Sequence, residues 1–210
     1  MKLLVVAATE AEIGIFRSRM PHITTLVTGV GMVATTYALM KHLARHQYDL
    51  VLQAGVGGSF DRTVPLGSLV HVVSDRFGDL GAEDHDQYID IFDLGLLGSN
   101  DAPYTNGMLM NPLGPVHQHI TLPQVSGITV NSVTGSAATV AIRQQYGCTT
   151  ESMEGAALHF VCLSERLTFA QVRAVSNYVE PRDKSKWQMK DAIIDLNDWL
   201  ISFATATNAE

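Results

Sequence analysis

Two short segments place acids where chemistry could use them. In AATEAEI, residues 7–13, Glu10 and Glu12 follow an apolar run; in ESMEGAALHF, residues 151–160, Glu151 and Glu154 stand directly before Gly, Ala, Leu and Phe. Carboxylates in a helix's first turn complement its dipole, worth about 0.3–1 kcal/mol, without doing chemistry. That reading suffices for Glu10 and for Glu151, which falls on the strand side of its turn as a solvated or dipole-pairing acid. Glu154 differs in its setting. Gly155, Ala156 and Ala157 are too small to shield its carboxylate from a ligand, and such a carboxylate can accept both hydroxyl hydrogens of a vicinal diol. Glu12, near Ala7, Ala8 and Ala11, is similarly uncrowded and suited to orienting and deprotonating a water.

Acids act together only if the chain brings them to one place. Continuous runs rich in Val, Leu and Ile recur at 3–8, 24–29, 50–55, 68–74, 127–133 and 171–176. Uninterrupted apolar strands, as opposed to alternating ones, belong to a sheet covered on both faces. Helical spacing predicts a helix over Met32 to His46, through Val33, Tyr37, Met40 and Ala44, and another from Glu154 to about Arg166. A closing helix carries Met189, Ala192, Ile193, Leu196, Leu200 and Phe203 on one stripe. This alternation predicts an α/β fold with a mainly parallel sheet. Residues 76–123, rich in Gly, Asp, Asn and Pro, show no sustained period and read as long loops. The 210 residues suit one sizeable core, so the chain 1–210 reads as a single domain.

Glycine turns punctuate this pattern. Gly29, Gly31 and Ala34 form G-x-G-x-x-A between a strand and a helix, as a dinucleotide fingerprint does. The fingerprint also needs an acid ending the next strand, whereas Asp49 precedes it. AGVGGSF, with Gly55, Gly57 and Gly58, repeats the arrangement one strand later. Two such turns side by side leave backbone N–H groups open toward a ligand at the carboxyl edge of the sheet. Asn177, closing the last strand, falls on the same edge.

Composition narrows the partners. A formal net charge of -7 argues against nucleic acid and acidic membrane surfaces, and no run approaches the roughly 20 apolar residues of a membrane span. Cys148 and Cys162 make no disulfide framework, so the chain reads as cytoplasmic. His42 with His46, one helical turn apart, and His117 with His119, on one strand face, could each begin a metal site, but neither pair has a third ligand nearby. Ser59 and Ser152 lack a G-x-S-x-G elbow. A small molecule is the expected partner, with no metal and no cofactor.

Together, SMEGAALHFVC, TGVGMVAT, AGVGGSF, LGSLVHVVSD and RAVSN resemble the nucleoside phosphorylase and methylthioadenosine/S-adenosylhomocysteine nucleosidase superfamily, in that superfamily's order and over residues 1–205. Within it, AATEAEI, LQAGVGGSF, SDRFGDLGAED, TVNSVTG and SNYVEPRDKSKW are most similar to the futalosine hydrolases, which release hypoxanthine and dehypoxanthine futalosine on a menaquinone route. The resemblance implies a three-layer α/β/α fold with a central, mainly parallel mixed sheet, and a homo-oligomer. It implies that Glu154, with the Met153 backbone, holds ribose hydroxyls and that Glu12 activates water. It places Ser152, Gly55, Val56, Gly57, Asn131 and Thr134 along the substrate, and Asp75 or Asp79 near the leaving purine. Adenine-releasing relatives carry Asp where this chain has Asn177, and an amide suits the N7/O6 edge of a 6-oxopurine better than a carboxylate does. Arg17, Arg182 and Lys184 are candidates for a carboxylated tail. Phosphorylases of the superfamily carry Arg in loops that here hold AATEAE and QAGVGGS, so two carboxylates without Arg would repel phosphate. The alternatives are a methylthioadenosine/S-adenosylhomocysteine or aminodeoxyfutalosine nucleosidase and, from another class, a purine-nucleoside binding protein.

Overall fold

Strand β1 (Leu3–Ala7) is buried from end to end, as a strand covered on both faces must be. The computed structural model describes residues 1–85 and 87–209. After β1 come α1 (Glu10–Arg19), β2 (Thr24–Val27), α2 (Met32–Leu43), β3 (Leu50–Ser59) and β4 (Leu69–Asp75). A hairpin, β5 (Gly81–Asp84) and β6 (Gln87–Asp90), and the short β7 (Leu109–Met110) follow within the segment expected to be loop. Then come β8 (Gln124–Thr129), α3 (Ala137–Gln144), β9 (Thr150–Ser152), α4 (Gly155–Ser164), β10 (Phe169–Tyr178) and α5 (Met189–Ala206).

The main sheet runs β10-β4-β8-β9-β3-β1-β2, with β7 on β4. Five pairings are parallel, β1–β2, β1–β3, β3–β10, β4–β8 and β8–β9, and three are antiparallel. Because β10 pairs with both β4 and β3, strands β3, β10, β4, β8 and β9 close into a ring. The layered architecture therefore holds with one refinement: half of the sheet curls into a partial barrel.

Alternate residues of β1 serve opposite layers. Leu3, Val5 and Ala7 pack with Ile13 and Phe16 of α1 and with Leu196, Leu200 and Phe203 of α5. Leu4 and Val6 pack with Leu39 of α2 and with Leu158, Val161 and Cys162 of α4. Each such side chain contributes about 1.5–3 kcal/mol on burial. One buried amide ties the C-terminal layer to the start of the chain: Asn197 accepts from Phe16 N at 2.8 Å and donates to the Glu12 carbonyl at 2.8 Å. The helix that carries Glu12 is thus fixed by a helix more than 180 residues away. Among the described residues, no helix is long and apolar enough to cross a membrane.

Candidate active site

The carboxyl ends of β1, β3 and β10, with the loops after β2 and β8 and the turn into α4, enclose a cavity of ≈ 420 Å³. That is a size suited to a small ligand. Glu12, Val56, Gly57, Thr134, Ser152, Met153, Glu154 and Asn177 all line it.

Glu12 is held from two sides. Its Oε2 accepts from Thr9 N at 2.9 Å and Thr9 Oγ1 at 3.0 Å, the reach-back of an acid at the third helical position to the N-cap, and its Oε1 accepts from Val56 N at 3.2 Å. Glu154, 5% exposed, accepts from Gly31 N at 3.1 Å through Oε1. The glycine turn that mimics a dinucleotide fingerprint therefore serves a carboxylate: Gly31, at φ 93°, turns its N–H toward Glu154.

Beside the two acids lies Arg173, which the sequence sets inside an apolar strand. It is 2% exposed, with Nη1 3.6 Å from Glu154 Oε2 and Nη2 donating to Gln53 Oε1 at 2.7 Å. Gly55 makes the arrangement possible. A Cβ there would fall 2.6 Å from Arg173 Nη1 and 2.8 Å from Glu12 Oε1. Gly55 thus stands behind the carboxylates and does not line the cavity wall. The expectation that the site holds two carboxylates and no Arg is corrected: the site holds both acids and a buried guanidinium, which together still carry a net negative charge.

Glu151 is likewise no solvated acid. It accepts from Thr134 N at 2.9 Å, from the Thr134 hydroxyl, and from Arg143 Nη1 at 3.0 Å, forming a buried ion pair. Arg143 Nη1 also donates to Thr134 Oγ1 at 2.6 Å, so Thr134 lines the cavity as part of this cluster. Asn131 lies outside the cavity, exposed, with its N–H and side-chain amide donating to Asp79 at 2.6 and 3.1 Å. Neither Asp79 nor Asp75 lines the cavity; Asp75 is buried beneath α4.

At the end of β10, Asn177 Oδ1 accepts from Ser176 Oγ at 2.9 Å, and its Nδ2 donates one hydrogen to Tyr178 O at 3.0 Å. The second Nδ2 hydrogen has no acceptor among the described residues. Of the candidate tail cations only Arg182 lines the cavity, its guanidinium 5.0 Å over the Trp187 ring. Arg17 pairs with Glu10 on the surface, and Lys184 sits in an exposed short 3₁₀ turn. The histidine pairs also go elsewhere. His42 meets Tyr48 at 2.7 Å, and His117, in a 3₁₀ turn and not on a strand, lies 2.8 Å from both Gly114 N and the Phe169 carbonyl.

The model of the phosphorylase superfamily matches residues 10–198. The chain is 34% identical over 154 residues to the futalosine hydrolase of Streptomyces coelicolor, covering 72% of this chain and 63% of that protein. It is 30% identical over 173 residues to the futalosine hydrolase of Thermus thermophilus, covering 80% of this chain and 75% of that one. The chain belongs to the futalosine hydrolase family of the phosphorylase superfamily.

The fold agrees with membership. The 5′-methylthioadenosine/S-adenosylhomocysteine nucleosidase of Neisseria meningitidis, solved with methylthio-immucillin-A, superposes with a TM-score of 0.83 over 98% of this chain and 100% of that one, at 16% identity. Arg173 itself is legible in the sequence. An Arg inside an otherwise apolar run, QVRAVS, must find carboxylates or carbonyls if it is buried.

Proposed function

We propose that this protein hydrolyses the N-glycosidic bond of futalosine, releasing hypoxanthine and dehypoxanthine futalosine for menaquinone biosynthesis, and that it does so in the cytoplasm. The observation that carries this reading is the pair of buried carboxylates, Glu12 and Glu154, on one cavity with Arg173 beside them. A binding protein needs an acid to grip a ribose; it has no use for a second acid poised over the same sugar. Family membership supplies the substrate class.

As the glycosidic bond stretches, the sugar becomes oxocarbenium-like. Glu154 holds the ribose hydroxyls, helped by the Met153 backbone, and stabilises the developing positive charge. Glu12 keeps one acceptor position beyond those filled by Thr9 and Val56, and it directs water to the anomeric carbon. Arg173 offsets the mutual repulsion of the two acids. Asn177 donates its free amide hydrogen to the N7/O6 edge of the departing 6-oxopurine. Arg182, which makes no ion pair among the described residues, supplies positive charge to the anionic parts of the substrate. The active unit is a homo-oligomer, for which the exposed apolar residues Val33, Tyr37 and Met40 of α2 offer a surface.

The test is to incubate the protein with futalosine, inosine and methylthioadenosine, with and without phosphate, and to identify the released base. Hypoxanthine from futalosine at a rate independent of phosphate is expected. Adenine from methylthioadenosine at a higher kcat/KM, or a sugar phosphate as product, overturns the reading.

A further inference from the structure

Helix α4 is capped by residues other than the one at its N-cap. Glu154 occupies that position, yet its carboxylate makes no capping bond and faces Gly31 and Arg173. Two hydroxyls from neighbouring strands take over. Gly155 N–H donates to Ser152 Oγ at 3.2 Å, and Ala156 N–H donates to Thr129 Oγ1 at 2.7 Å. A hydroxyl carries a single hydrogen, so one that accepts from a helix must point its own hydrogen elsewhere. Thr129 points it at Asp75 Oδ1, 2.9 Å away, and Ser152 Oγ stands 3.4 Å from Thr129 Oγ1. Hydrogens therefore run one way, from the helix amides through the hydroxyls to the Asp75 carboxylate that ends the chain.

Asp75 is fully buried, and its Oδ2 has no partner among the described residues. Both Asp75 Oδ2 and Gln171 Nε2 lie 2.2 Å from where a Cβ on residue 155 would fall. Gly155 is therefore small for a reason opposite to the one its sequence suggests: the space it leaves is filled from beneath by a carboxylate, not kept open for ligand above. A negative group under the first turn is also favoured by the helix dipole.

We propose that Asp75 is a positioning residue for Glu154: through Thr129 it fixes the first turn of α4, and so the place from which Glu154 reaches into the cavity. The role rests on Glu154 being the ribose-holding group assigned above. The test uses Thr129→Val, which removes the hydroxyl at nearly constant volume, Thr129→Ser as the conservative variant, and Asp75→Leu, which keeps the branched shape and removes the acceptor oxygens. Futalosine turnover is measured for each, alone and combined with Glu154→Gln.

Thr129→Val and Asp75→Leu are each expected to lower kcat at least about tenfold, the equivalent of one lost buried hydrogen bond, with KM little changed and with Thr129→Ser near wild type. Neither should lower kcat further once Glu154 is Gln, because residues acting through one group are not additive. Full additivity overturns the proposal. A Glu154→Gln variant with wild-type turnover overturns it too, along with the ribose assignment. Amide hydrogen exchange at Gly155 and Ala156 reports without substrate: it should quicken about tenfold in Thr129→Val and Asp75→Leu, and unchanged exchange overturns the proposal. If wild-type protein leaves futalosine intact while exchange responds as expected, it is the substrate that is wrong; the cycle is then read on whichever nucleoside of the three is cleaved.

Discussion

Glu151 and Glu154 stand three residues apart, are each 5% exposed and border the same cavity, yet the protein treats them in opposite ways. Glu151 is consumed by its own structure: a backbone N–H, a hydroxyl and a guanidinium all converge on it. Glu154 accepts one backbone hydrogen from Gly31, and its nearest cation stays at 3.6 Å, beyond good hydrogen-bond range. Neither burial nor nearness to the cavity separates a structural acid from a functional one here. Unspent acceptor capacity does. Glu12 falls between them, with three of about four acceptor positions filled and one left over, the position through which the proposed base would hold a single water.

The sharpest way to break this contrast is Glu151→Gln. It leaves Arg143 buried with, among the described residues, only Asp79, 4.0 Å away, as a counter-charge. Removing one partner of a buried pair costs about 3–5 kcal/mol. Urea unfolding should show a loss near the lower end of that range, with kcat per folded molecule close to wild type; retained stability with lost turnover would reverse the two roles. Glu12→Gln should do the opposite. It is expected to lower kcat on the order of 10²-fold with the protein still folded, and near-normal turnover would remove it as the base. Asn177→Asp is a smaller change that bears on the far end of the cavity. It should shift the ratio of kcat/KM for 6-oxo over 6-amino purine nucleosides by about tenfold toward the amino form, one hydrogen bond's worth of discrimination. An unchanged ratio means that another group reads the base.

The same contrast explains what was legible in the sequence. Residues at the ends of elements announced themselves, since Glu12 and Asn177 follow apolar runs and Glu154 directly precedes one, and all three reach the cavity. Residues whose partners are distant in the chain did not. Arg173 reads as an oddity in a strand until the fold brings it to Glu154, and Arg143 and Glu151 recognise one another only across α3 and β9. The extent of helix α1 is faint in the sequence because Gly14 and a polar second half, with only Glu12, Ile13 and Phe16 buried, leave a weak stripe; α5 completes it through Asn197. The strand expected over 127–133 ends at Thr129, because Asn131 and Thr134 turn out to meet Asp79 and Glu151. That displacement is also why Asn131 leaves the cavity.

A last, smaller test moves from buried charges that are satisfied to a buried group that is not. His71 is fully buried, stacked 5.8 Å from His117, with neither ring nitrogen partnered among the described residues. Burial, reinforced by His117, lowers its pKa to about 4. In the unfolded chain an imidazole titrates near 6.5, so below that pH the unfolded state binds the extra proton and the native state resists it. The stability that neutral His71 allows is present above 6.5 and is lost as pH falls toward 4. His71→Phe keeps a flat ring against His117 and removes the titration. Its gain over wild type should be under about 1 kcal/mol at pH 7.5 and should grow by about 2 kcal/mol at pH 5. Asp75, pushed up to about 6 by its own burial, has the opposite sign, but it is common to both proteins and cancels in the difference. A gain that stays flat between the two pH values would mean that the unpartnered nitrogens of His71 reach water, and that the cost of leaving a buried polar group unspent is not what distinguishes it from Glu151.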